Sequence, residues 1–115
     1  MPAKPKKVAA ESKQTYHRNV RLLVAFRCDD PTAPIQDGFA RAIGLSDTGA
    51  LLELPDLYQV GNEFQLEFLL NDNEIAPVKG TITHIDKRKD FYEVAVEFSK
   101  PTTKVKHLIR KQTDG

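Results

Sequence analysis

The chain has 115 residues, enough for one ordinary domain and too few for two. It is 40% hydrophobic and 29% charged, and seventeen Lys and Arg against sixteen Asp and Glu leave a formal charge of +1; this excludes a disordered polyelectrolyte and the global positive field that drives indiscriminate nucleic-acid binding. One cysteine, Cys28, excludes an internal disulfide, and no Cys/His cluster stands at metal-ligand spacing. With no apolar leader and no run of eighteen apolar residues, the expectation is a soluble cytoplasmic protein with no metal, no cofactor and no membrane span.

Residues 1–14 carry Lys4, Lys6, Lys7 and Lys13 with two prolines and almost nothing large to bury, which predicts a flexible basic arm ahead of a domain over residues 15–112. From Arg21 the pattern takes period two, with Leu22, Val24 and Phe26 on one side of a strand and Ala25 and Arg27 on the other. The turn-rich DDPTAPIQDG separates it from a second strand, FARAIGL. Ser46-Asp47-Thr48-Gly49 is a tight turn in which Gly49 can take positive φ, and ALLEL completes a hairpin. In EFQLEFLL, Phe64, Leu66, Phe68 and Leu70 alternate with polar residues, predicting a half-buried fourth strand.

EIAPVKGTITHID and FYEVAVEF supply the fifth and sixth strands, the last with Tyr92, Val94, Val96 and Phe98 on one face. After Ser99 the period changes: Val105, Leu108 and Ile109 fall at i, i+3, i+4, and Pro101 suits the first turn of a short amphipathic helix. Six strands at short regular intervals with no alternating helices predict an all-β fold, an antiparallel barrel closed by a C-terminal helix.

Catalysis needs a nucleophile, a base and oxyanion donors in one set, and no such set is present, so an enzyme is not expected. His17, His84 and His107 each stand apart from other ligand types, and the segment from Gly44 to Gly49 makes neither a nucleophile elbow nor a phosphate-binding P-loop.

Two stretches carry more information: HRNVRL at residues 17–22 and GLSDTGALLEL at residues 44–54. They resemble the PilZ family, in which an R-x-x-x-R-like element precedes the first strand and a [DN]-x-S-x-x-G element sits at a strand turn. Ser46, Gly49 and Ala50 match the second element, VAVEF is similar to the family's late strand, and the resemblance extends over about residues 16–112. It implies a six-stranded PilZ-like barrel that binds the bacterial second messenger cyclic di-GMP and relays its level to a partner protein. The implied ligand-binding residues are His17, Arg18, Arg21, Gly44, Ser46 and Gly49. Arginine forks suit phosphate oxygens and guanine O6/N7, a serine hydroxyl bonds a phosphate or base edge, and glycine permits close backbone approach.

The sequence departs from the family pattern at two places. The arginines are three apart, so either Arg18 is the first with a one-residue slip, or His17 occupies that position without a guanidinium fork. Gly44 stands where the family has Asp or Asn, and losing one such bond costs about 1.5–3 kcal/mol, roughly tenfold to a hundredfold in affinity. The alternative function is therefore a degenerate PilZ-like module that binds no cyclic di-GMP and acts through protein contacts. A small nucleic-acid-binding barrel is a third class, but most of its phenylalanines alternate with aliphatics and are expected in the core, so no nucleic-acid polymer is expected as a partner.

Overall fold

The computed structural model describes residues 20–71 and 73–114. They form six strands and one helix: β1 (Leu22–Arg27), β2 (Asp37–Leu45), β3 (Gly49–Leu54), β4 (Glu63–Leu69), β5 (Ile75–Lys87), β6 (Tyr92–Ser99) and α1 (Thr103–Asp114). All pairings are antiparallel, and the strands close a barrel in the order β1-β2-β3-β6-β5-β4, with β4 returning to β1. The expected strand count and C-terminal helix are both present.

Alternation decides which side chains fill the barrel. In β4, Phe64, Leu66 and Phe68 are buried while the residues between them are exposed, as the period-two pattern requires. The interior is completed by Leu22, Val24 and Phe26 from β1, Ala50, Leu52 and Leu54 from β3, and Val94, Val96 and Phe98 from β6. Phe26, Phe64 and Tyr58 form an aromatic cluster, with centroids 5.3 Å apart for the stacked pair and 5.1 and 6.0 Å for the edge contacts. Two phenylalanines lie outside the core: Phe91 is half-buried, and Phe39 faces out from β2 and is 69% exposed. Its neighbour Gly38 takes the inward position against Phe26, so the alternation of β2 leaves Phe39 on the solvent side.

β5 tolerates a proline and a glycine because of where they fall. Pro77 pairs with Glu67 of β4, and β6 joins only from Lys79 onward, so at Pro77 one side of the strand has no ladder to lose. At Gly80 a Cβ would stand 2.3 Å from Val96 Cγ1 and 3.3 Å from the Glu97 carbonyl oxygen. Only glycine fits where β5 leaves β4 for β6.

Thr102 caps α1: its Oγ1 accepts the N–H of Val105 at 3.1 Å and its carbonyl accepts that of Lys106. Pro101 thus precedes the cap instead of occupying the first turn, since Thr102 offers the oxygen the first turn needs. Val105, Leu108 and Ile109 are buried in the barrel core, and a fully buried side chain such as Ile109 is worth about 1.5–3 kcal/mol. The helix spans the barrel end between two turns: Gln112 accepts the N–H of Asn71 at 2.9 Å, and Arg110 pairs with Asp47 at 2.8 Å. No described helix is long and apolar enough to cross a membrane.

Candidate ligand-binding face

The β2–β3 turn is built by one hydroxyl. Ser46 Oγ accepts the N–H of Gly49 at 3.1 Å and of Thr48 at 3.2 Å, and lies 3.3 Å from the Gly49 carbonyl oxygen, to which it donates. The Ser46 N–H donates to the same carbonyl at 2.9 Å, closing the hairpin, and the Thr48 carbonyl accepts the Phe98 N–H at 2.8 Å, tying the turn to β6. The Asp47 carboxylate points to α1, where Arg110 Nε donates to it at 2.8 Å.

Gly49 is the first residue of β3, paired with Glu97. Gly49 does not use the positive φ open to a glycine; among the described glycines it is Gly61 that adopts it, at 98°. The Ser46 bonds close the turn while Gly49 already lies in the extended ladder.

Two irregularities aim the neighbouring face. The registers shift between Ala42 and Gly44 on β2 and between Ile82 and His84 on β5, inserting Ile43 and Thr83 as extra residues. Without Ile43 the alternation from buried Ala42 would put Gly44 in the inward register and Leu45 in the outward one; with it, Leu45 is fully buried in the core and Gly44 takes the outer-wall register beside Leu51, where it too is buried. The pairing then lines up Gly44 with Leu51, Leu51 with Ala95, and Ala95 with His84 across β2, β3, β6 and β5. Leu51 and Ala95 are 6% and 5% exposed yet lie outside the core cluster, forming a small apolar floor on the outer wall.

The next outward row is charged and runs Arg41, Glu53, Glu93, Asp86. Arg88 binds the buried Glu93 carboxylate through Nε at 3.2 Å and through Nη2, and this partner holds its guanidinium above the ordinary range. His84 Nε2 lies 3.1 Å from Asp86 Oδ1. At the other edge, Arg21 is exposed just before β1. Since Leu22 pairs with Ala42, Arg21 stands abreast of the Ile43 bulge, and its Nη1 donates to the Val20 carbonyl at 3.1 Å.

Of the site residues expected from sequence, Arg21, Gly44, Ser46 and Gly49 thus come together at one end of the barrel, where β1 begins and the β2–β3 turn closes. His17 and Arg18 lie outside the described residues, as does the arm expected at residues 1–14. Sequence reading missed Leu51, Ala95 and His84, because only strand register places them beside Gly44. The face combines a guanidinium, an apolar floor and an imidazole–carboxylate edge. Among the described residues, no group of three or more His, Cys, Asp or Glu could hold a metal ion.

The PilZ domain model matches residues 12–115 of the chain. No curated protein sequence matches it. Among solved structures the chain is similar to the Bacillus subtilis inhibitor of motility MotI/DgrA, at 14% identity and a TM-score of 0.72, covering 89% of this chain and 49% of that one. It is also similar to the PilZ domain of YcgR from Escherichia coli, solved with c-di-GMP, at 16% identity and a TM-score of 0.69, covering 89% of each chain. For MrkH of K. pneumonia in its apo state the values are 11% and 0.64, covering 80% of this chain and 44% of that one. The chain therefore spans under half of the MotI and MrkH chains, and at these identities the likeness is one of fold. A family match over nearly the whole sequence, on a closed six-stranded barrel with one C-terminal helix, makes this chain a member of the PilZ domain family.

Proposed function

We propose that the chain is a non-catalytic bacterial receptor for cyclic di-GMP that relays the level of this second messenger to a partner protein. The observation that carries the reading is the meeting of Arg21 with the Ser46 turn and the outward Gly44 row at one end of the barrel. Family membership and the similarity to an E. coli domain solved with c-di-GMP support the same ligand. In this reading Arg21, with Arg18 or His17, contacts phosphate or guanine O6/N7; the Ser46 turn sets the shape of the pocket edge; and the missing side chain at Gly44 lets the ligand approach the backbone.

A second reading has its own support. Gly44 contributes no polar side chain, and the Ser46 hydroxyl already serves two backbone N–H groups of the turn. Both reduce what the site offers a nucleotide and favour a PilZ-like adaptor that acts through protein contacts alone. Isothermal titration of cyclic di-GMP into the wild-type protein and Arg21→Ala separates the two. Saturable micromolar binding that weakens in the variant supports the receptor, whereas absence of a saturable signal at high micromolar ligand leaves the adaptor.

A further inference from the structure

We infer that Arg41 is a second guanidinium of the ligand-binding face, contacting a phosphate or a guanine edge of the bound cyclic dinucleotide. This inference rests on the receptor reading above.

The described residues include five arginines: Arg21, Arg27, Arg41, Arg88 and Arg110. Three are neutralised by carboxylates. Arg27 pairs with Asp29 at 2.9 Å and lies 3.9 Å from Asp37, Arg88 pairs with Glu93 and Asp86, and Arg110 pairs with Asp47. Arg21 and Arg41 are exposed and carry no ion pair among the described residues. Glu53 faces Arg41 directly across the β2–β3 ladder, yet no ion pair joins them. An arginine already bound to a carboxylate must give up that bond to take a ligand anion; an unpaired one loses only water.

The two unpaired arginines flank the same irregularity. Arg21 stands abreast of Ile43 from the β1 side, and Arg41 lies on β2 itself, one outward row before Gly44. Adjacent outward rows on a strand are about 7 Å apart, within the compass of a long side chain. Gly44 adds no bulk between the Arg41 side chain and the Leu51/Ala95 floor. A planar fork there offers two parallel N–H donors to phosphate oxygens or to guanine O6 and N7. Where His17 takes the first position of the arginine element, Arg41 also supplies from β2 the guanidinium fork that a histidine lacks.

The test is isothermal titration of cyclic di-GMP into the full chain carrying Arg41→Ala, Arg41→Lys or Arg27→Ala, with circular dichroism to verify folding. Losing a charge-assisted contact weakens binding roughly tenfold to a hundredfold, so Arg41→Ala is expected to bind that much more weakly than wild type. Arg41→Lys recovers only part of the loss, since an ammonium lacks the fork, and Arg27→Ala binds as wild type. The affinity of Arg41→Ala should also fall less steeply with added salt, because one phosphate-directed charge is gone. Wild-type affinity in a folded Arg41→Ala overturns the inference and leaves the receptor reading intact. Absence of binding by the wild-type protein overturns both.

Discussion

Replacing Ser46 by alanine removes an oxygen that accepts the N–H of Gly49 at 3.1 Å and of Thr48 at 3.2 Å and donates to the Gly49 carbonyl at 3.3 Å. These bonds are at the long end of the usual range and partly open to water, which takes over some of them in the variant. Net contributions of about 0.5–1 kcal/mol for each of the two accepted bonds give a destabilisation of about 1–2 kcal/mol. For a domain of this size that lowers the thermal midpoint by about 4–10 °C. The loss spreads beyond the turn, because the Thr48 carbonyl receives the Phe98 N–H and Gly49 opens the ladder to β6. Thermal unfolding followed by far-ultraviolet circular dichroism measures the drop, and titration of cyclic di-GMP well below the midpoint measures affinity on the same sample. Ser46→Thr, which keeps the hydroxyl, should recover most of the stability. An unchanged midpoint with a large loss of affinity would refute the reasoning, since it would make the hydroxyl a direct ligand contact and not the builder of the turn.

Gly80→Ala forces a methyl to 2.3 Å from Val96 Cγ1, an overpacking that costs about 1–3 kcal/mol; Val96→Ala in the same chain should relieve part of it, read as a favourable coupling in urea unfolding. Asp47→Ala breaks the ion pair between the turn and α1, whose side chains are 29% and 62% exposed, so the loss should stay below about 1 kcal/mol and shrink in 1 M salt; a loss of several kcal/mol would mean that α1 is held by this pair and not by Val105, Leu108 and Ile109. Burial raises the Cys28 thiol above its ordinary value, favouring the neutral form in the fold. Its contribution to stability is fully present below the unfolded pKa of about 8.5 and is lost as pH rises through the higher folded value. A thiol reagent at pH 8 should therefore label native protein slowly and urea-unfolded protein quickly, and native labelling at the free-thiol rate would contradict the burial.

The alternation of Phe64, Leu66 and Phe68, the turn chemistry of Ser46-Asp47-Thr48-Gly49 and the i, i+3, i+4 spacing of Val105, Leu108 and Ile109 are local, so the strand count, the hairpin and the closing helix were legible in the sequence. The same locality exposed Ser46 and Gly49 as a turn worth inspecting. The direction of the Ser46 hydroxyl into its own turn was not legible, nor was the capture of Asp47 by a helix residue 63 positions away. Only the tertiary structure decided that β4 closes on β1, that Phe39 faces solvent, and that extra residues at Ile43 and Thr83 turn Gly44 and His84 outward in line with Leu51 and Ala95. The physical reason is that period two assigns faces only while a strand keeps its register. Register is set by partners distant in sequence, so one inserted residue re-aims every side chain after it without altering the composition from which the strand was read.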